Sequence, residues 1–320
     1  MTNNTYIYKI IFCAIFLIFY DICIANSNVE TSNPNQRTLE YNFALLPNYI
    51  FGVPASLQEL DKLEHLVPNP IELKLPSGTT LVTSFNKMGF DFIAPEYAGE
   101  NWLIQEYIQF ASITSKPVLD IGACFGYTTN LALNAGATVI ANDIEVGHLV
   151  FTRRNIDNPK LKANLYLNLA RFPYETSFPP QSLSAVIIDR ILHFLKPAEI
   201  EDGLDRVYEW LEPGGKIFIA VLPPQQKEVK DWLLPIYESK WQAGDTWPGI
   251  GIETSVAFPR YAHNLPKFVH IMDDRPLTIA LKNHGFTIER SEFIKSTHMG
   301  LLNDSKGNIA LYGIIAQKAM

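Results

Sequence analysis

The chain has 320 residues, 47% of them hydrophobic and 18% charged, with a formal net charge of −7. That length can bury a sizeable core and admits one large domain with insertions. The acidic balance argues against a nucleic-acid backbone as main partner, because phosphate contacts need clustered Lys and Arg. The nearest approach to such a cluster, Arg153, Arg154, Lys160 and Lys162, reads as a solvated face. The cysteines, Cys13, Cys23 and Cys124, fit no zinc spacing and no disulfide framework.

Lys9 precedes an unbroken apolar run at 10–20, followed by Asp21 and then Ile22-Cys23-Ile24-Ala25. The run has the length of a signal-peptide core and is short for a membrane span. Cleavage after Ala25 is the expectation. An uncleaved anchor through 1–25 would have to bury Asp21, which is costly in lipid. Either way the domain is exported (periplasmic, secreted or membrane-anchored), and membrane contact is confined to 1–25. A third reading, a docked soluble segment, leaves the chain in the cytoplasm. Residues 26–38 are polar and read as a linker, and 39–115 as an N-terminal cap region.

Within that region, Leu57, Leu60, Leu63 and Leu66 show helical spacing, while 71–75 and 79–85 read as strands around Pro76-Ser77-Gly78. An amphipathic helix is predicted over 102–111. From 116 the pattern becomes regular: strand 117–121, helix 127–134, strand 138–141, helix 146–156, strand 163–169, strand 183–188, helix 197–211 and strand 216–222. Strands alternating with helices imply parallel pairing through right-handed crossovers. The alternation breaks after Leu222. An insertion at 225–270 carries a helix over 225–239 and then irregular chain; a helix over 275–283 and strands 286–294 and 308–317, joined by a turn at 303–307, complete a domain over 116–320.

The segment Val118-Leu119-Asp120-Ile121-Gly122-Ala123-Cys124-Phe125-Gly126 sets glycines between a strand and a helix. Gly122 permits a sharp turn and a close approach of ligand to backbone. In an open α/β sheet, ligands sit beyond the carboxyl ends of the strands, at the switch in strand order. The stretch resembles motif I of the class I S-adenosylmethionine-dependent methyltransferases (small-molecule type, methyltransferase type 11/25-like): Asp120, Gly122 and Gly126 match, and Ala123 lies between them. Cys124 stands where the family has its middle glycine, a departure that a negative φ would accommodate. A dinucleotide fingerprint needs G-x-G-x-x-G with amides aimed at a pyrophosphate. Here the spacing differs, and the acidic residue before the first glycine would repel a phosphate.

The resemblance extends along the chain. It implies that Asp143, at the second strand end, accepts from the ribose hydroxyls; the same residue can cap the following helix. It makes Ile144 an apolar neighbour of the adenine, Asn168 an adenine contact, and Asp189 a residue at the methionine or acceptor end. Leu211-Glu212-Pro213-Gly214-Gly215 looks like the family's turn from helix to strand. The implied fold is a Rossmann-like, doubly wound, seven-stranded, mostly parallel sheet with an antiparallel last strand. The implied activity is methyl transfer from S-adenosyl-L-methionine, with no metal. The acceptor is expected to be a small molecule, or else a protein, rather than nucleic acid.

Asp189, His193, His263 and His270 are the candidate general bases, with no choice among them. Residues 97–101 are a candidate lid, and Trp247, Phe258, Tyr261 and Phe268 a candidate wall. Two rival classes are a catalytically weak or inactive member of the fold that binds a protein partner, and an aminopropyl transferase. The second fits poorly, because it needs an acidic pocket where Asp189 stands beside Arg190.

Overall fold

In the computed structural model, which describes residues 50–51, 64, 67–74, 80–92, 99–296 and 308–320, the chain begins with a two-residue strand, β1 (Ile50–Phe51). A three-stranded antiparallel meander follows: β2 (Ile71–Lys74), β3 (Thr80–Thr83) and β4 (Phe90–Phe92). The leader at 1–25, the linker at 26–38, the turn at 303–307 and the 57–66 spacing, Glu64 apart, lie outside the described residues. Among the described residues no helix is long and apolar enough to cross a membrane.

Asn101 starts α1 (Trp102–Ala111) by accepting the N–H groups of Leu103 and Ile104 on its side-chain oxygen. Then comes the regular alternation: β5 (Val118–Ile121), α2 (Tyr127–Asn134), β6 (Val139–Asp143), α3 (Val146–Arg154), α4 (Pro159–Lys162), β7 (Leu165–Leu169), β8 (Leu183–Asp189), α5 (Pro197–Trp210) and β9 (Leu211–Val221). The insertion holds α6 (Lys230–Gln242), the short strands β10 (Ile252–Glu253) and β11 (Phe268–Val269), and α7 (Thr254–Ala257) between them. The chain closes with α8 (Asp274–Asn283), β12 (Phe286–Ser296) and β13 (Asn308–Lys318).

The large sheet runs β1-β7-β6-β5-β8-β9-β13-β12. Only β13 runs antiparallel to its neighbours, β9 and β12. The seven-stranded sheet with an antiparallel last strand is therefore present, and β1 adds an eighth strand on the β7 edge. One apolar core lies on each face: α1 and α2 cover one, α5 and α8 the other. This double covering is why β5 and β8 are almost wholly buried. The strand order reverses between β5 and β8, so a crevice opens at their carboxyl ends.

Two local expectations change. The strand expected at 216–222 begins earlier, because Leu211 already pairs with Leu183; the pairing then skips Pro213-Gly214-Gly215 and resumes at Ala185 and Lys216. Gly215 is required there, since a Cβ would meet the carbonyl oxygens of Glu212 at 2.9 Å and Ser184 at 3.0 Å. Nor is the basic cluster a solvated face throughout. Arg153 is buried and pairs with Glu64; Arg154 donates to the Val67 carbonyl at 2.5 Å and to Asn69 at 2.9 Å. The N-terminal segment crosses the end of α3 there and supplies the acceptors.

Candidate functional site

The turn after β5 is held in a left-handed run, with φ of +71° at Gly122, +47° at Cys124 and +75° at Gly126. Cys124 thus adopts the conformation that favours glycine, not the negative φ that would accommodate its side chain; the cost of such a conformation is on the order of 1–2 kcal/mol. A Cβ at Gly122 would lie 2.2 Å from Ile191 Cδ1, and one at Gly126 2.2 Å from Thr152 Cγ2. Both glycines are therefore fixed by close packing as well as by φ.

Every backbone N–H from 122 to 126 is used within the protein. Gly122 and Ala123 donate to the Asn142 carbonyl, each at 2.9 Å, and Gly126 donates to Ala123 at 2.8 Å. Cys124 donates to Asp143 Oδ2 at 2.9 Å, and Phe125 to Asp91 Oδ2 at 3.2 Å. Two of the acceptors are carboxylates. A turn whose amides already serve protein anions is a poor cradle for a pyrophosphate and a good neighbour for a ligand bearing positive charge.

Asp143 ends β6 and organises its surroundings. Besides the Cys124 amide it accepts the Glu145 N–H at 2.9 Å and meets His148 Nδ1 at 3.1 Å. Phe85 N–H points at His148 Nε2 at 3.0 Å, which requires that nitrogen to be unprotonated. Burial lowers the pKa of His148, but the charge and hydrogen bond of Asp143 outweigh it and leave a net upward shift. The Phe85 contact selects the neutral form with the proton on Nδ1, so the hydrogen bond and the shift pull in opposite directions; the directed geometry is the firmer guide to the tautomer.

A cavity of about 290 Å³ lies over these strand ends. It extends from Asn142, Asp143 and Ile144 past Gly122 and Asp189 to Leu222 and Leu311, that is, from β6 across β5 and β8 to β9 and β13. The segment 84–91 of the meander forms one side, and Phe258, Tyr261 and Leu265 of the insertion form another. These two parts meet: Phe90 packs edge-on to Tyr261 at 5.6 Å, and Asn264 donates to the Gly89 carbonyl.

Of the residues singled out in the sequence, Gly122, Asp143, Ile144 and Asp189 line the cavity, whereas Asp120, Ala123, Gly126 and Asn168 do not. Asp120 is buried beneath the turn and accepts Thr129 Oγ1 at 2.7 Å. Burial pushes its carboxyl up to about 7, against the Thr129 hydrogen bond and with help from the charges of Asp189, Asp91 and Asp143. Asn168 accepts Asn142 Nδ2 at 2.6 Å, and it is Asn142 that borders the cavity. Asp189 pairs with Arg190 at 3.1 Å, and Arg190 also reaches Asp91 at 3.5 Å.

The candidate bases separate. His193 lines the cavity; burial, with Arg190 and then His270 nearby, lowers it to about 3. His270 is buried outside the lining and is lowered to about 4 by burial. His263 stands off the lining, 6.4 Å from the Phe90 ring. Of the expected wall, Phe258 and Tyr261 line the cavity; Trp247 instead packs on His270, and Phe268 is half exposed. Of the expected lid, 97–98 lie outside the described residues, and Asn101 is occupied in capping α1.

Sequence reasoning missed Asp91 and Asn142, whereas Arg190 was placed beside Asp189 and does pair with it. The alternation Phe90-Asp91-Phe92 after Gly89 was the available signal for Asp91, since it marks a strand with one polar position. Nothing local marks Asn142 over Asn168.

Comparison with known proteins gives a concordant result. A family model described as a methyltransferase domain matches residues 118–215. The chain is 28% identical over 125 residues to a carboxy-S-adenosyl-L-methionine synthase of Desulfotalea psychrophila, covering 38% of this chain and 50% of that protein. It is 29% identical over 114 residues to phosphoethanolamine N-methyltransferase 1 of Triticum aestivum, covering 34% of this chain and 22% of that one. The chain thus spans half the length of the first of these relatives and about a fifth of the second. A solved S-adenosylmethionine-dependent methyltransferase from Methanosarcina mazei superposes with a TM-score of 0.48 at 18% identity, over 68% of this chain and 98% of that one. The left-handed glycine turn and the switch in strand order above it thus fall within the stretch, 118–215, that matches a methyltransferase domain.

Proposed function

We propose that this protein transfers a methyl group from S-adenosyl-L-methionine to a small-molecule acceptor. The observation that carries the proposal is the wiring of the turn: five consecutive amides used within the protein, two of them by Asp143 and Asp91. Asp143 Oδ2, which accepts only the Cys124 amide, retains a lone pair for a ribose hydroxyl, and Asn142 and Ile144 border the place for the adenine. Asp91, Asp189 and Arg190 supply both signs of charge for an amino-acid head group. The residues present fit the cofactor, with Cys124 the single strained position among them. The bound cofactor supplies an already activated methyl group on a sulfonium. The chain's task is then to hold the acceptor in line and keep water out, for which the meander and the insertion, joined over the cavity, are suited.

Small-molecule relatives support the acceptor class, and the acidic net charge counts against nucleic acid. Calorimetric titration of the purified protein with S-adenosylmethionine and S-adenosylhomocysteine tests the reading. Micromolar binding of both, followed by label transfer into a small-molecule pool, is the expected result. Absence of binding would favour the inactive, partner-binding alternative. Export through 10–25 is part of the proposal, and N-terminal sequencing of the mature protein decides it.

A further inference from the structure

We propose that the end of the cavity beyond β9 and β13 is an acceptor subsite for a neutral, mainly apolar molecule bearing one hydrogen-bonding group. It would discriminate against phosphorylated and quaternary-ammonium acceptors. This rests on the methyltransferase reading and adds the acceptor's chemistry to it.

The cavity is graded in polarity. Its charged lining residues, Asp91, Asp143, Arg171, Asp189 and Arg190, follow or face β6, β7, β5 and β8. At the other end stand Leu222, Phe258, Leu265 and Leu311, with Gln226 and Tyr261 as polar members and no formal charge. The divide passes between neighbouring residues of one strand. Phe90 packs against Tyr261, whereas Asp91, directed to the opposite face, serves the Phe125 amide and Arg190.

Burying a phosphate against this wall would leave its charge without a counter-ion, which costs several kcal/mol. An ammonium would need a carboxylate or an open aromatic face. The Phe90 and Tyr261 rings are instead packed edge to face on each other, at 85°. His193, on the border between the two ends, is held neutral by burial and by Arg190.

The polar atoms here are few and unsatisfied. Tyr261 Oη, Gln226 Oε1 and His193 Nδ1 are buried without a hydrogen-bond partner among the described residues, though Gln226 Nε2 is anchored on the Ala310 carbonyl at 2.7 Å. Each such atom costs about 1–3 kcal/mol until something pairs with it. A single hydroxyl on an apolar body can pair with one or two of these atoms and buries the remainder of the molecule against the leucines and Phe258.

The test uses the full chain saturated with S-adenosylhomocysteine. It is titrated calorimetrically with 4-butylphenol, choline and phosphoethanolamine. The phenol should bind about tenfold or more tightly than either of the others. Tyr261→Phe and Gln226→Leu should each weaken the phenol by roughly three- to tenfold while leaving S-adenosylhomocysteine affinity within about twofold, which also verifies folding. Choline or phosphoethanolamine binding as tightly as the phenol overturns the subsite. So does failure of all three to bind while S-adenosylhomocysteine binds, or a phenol affinity unmoved by both substitutions. Failure of S-adenosylhomocysteine itself overturns the parent reading, and the subsite with it.

Discussion

The two ends of the cavity are built in different ways. The end over β5 and β6 comes from adjacent segments of chain: a glycine turn, the carboxylate of the next strand, and backbone amides wired between them. The end over β9 and β13 is assembled from parts far apart in sequence, with Phe90 of the meander meeting Tyr261 of the insertion and Gln226 anchored on Ala310. The first is polar, directional and intolerant of change. The second is apolar and can be repacked. A domain of this kind can therefore keep one ligand constant at one end and vary the other ligand at the opposite end.

On that contrast, the largest effect belongs to Asp143→Ala. It removes the acceptor of the Cys124 and Glu145 amides and the partner of His148 in one step. Charge-assisted hydrogen bonds are worth about 1.5–3 kcal/mol each, so S-adenosylhomocysteine affinity should fall by about a hundredfold or more and stability by about 3 kcal/mol. Calorimetry and urea melts read the two quantities. A loss of less than about tenfold would break the assignment of this end.

Gly122→Ala comes next. Its Cβ must occupy a left-handed backbone and displace Ile191, a flexible side chain, from 2.2 Å. We expect a loss of about 2 kcal/mol in stability, with cofactor affinity down about tenfold. The double variant with Ile191→Ala should recover only part of the affinity, because it relieves the contact but not the backbone strain. Full recovery would mean that φ at Gly122 costs nothing.

How much of this could be read in the sequence follows the same divide. The turn, Asp143 and the helix-to-strand glycines are local patterns, in which a residue's neighbours in sequence are also its neighbours in space. They made the sheet and one wall of the cavity legible. Asp91 was not, because its partners are the Phe125 amide and Arg190, brought to it only by the fold. The Asn142–Asn168 pair shows a finer limit. Both residues end parallel strands, they are register partners, and only the packing decides which of them borders the cavity. The insertion was legible as a break in the alternation and as a wall, of which Phe258 and Tyr261 line the cavity, but its contact with the meander was not legible.

Acidification should separate by sign two buried groups, Asp120 beneath the turn and His193 on the border of the cavity. Folded Asp120 keeps its proton up to about pH 7, while an unfolded aspartate releases it near pH 4. Between those values the folded state binds more protons, so lowering the pH from 7 to 5 adds about 2 kcal/mol of stability through this group. His193, lowered to about 3 when folded, behaves in the opposite way: the unfolded state takes up the proton first, near pH 6.5, and the same acidification removes about 2 kcal/mol. Relative to the parent protein, Asp120→Asn should therefore be less stable at pH 5 than at pH 7, and His193→Leu more stable. Urea melts at the two pH values give the difference curves. Slopes of the same sign would show that one of the two groups is not held as described.

The smallest expected effect is also the most diagnostic of the glycine turn. Cys124 occupies a left-handed conformation at φ +47°, where the cost to a side chain is on the order of 1–2 kcal/mol. Its thiol, pushed up by burial and then by Asp91 and Asp143, stays protonated and contributes packing rather than charge. Cys124→Gly relieves the strain but gives up that packing and frees the unfolded chain by about 0.4–1 kcal/mol. The net change in stability should be under about 1 kcal/mol. Affinity for S-adenosylhomocysteine should nonetheless rise a few-fold, because the turn then holds its left-handed φ, and with it Asp143, without side-chain strain. Calorimetry on the two proteins side by side decides it. Weaker binding by the glycine variant would mean that the cysteine has been accommodated by its surroundings, and that this turn is adapted to its own residue rather than strained by it.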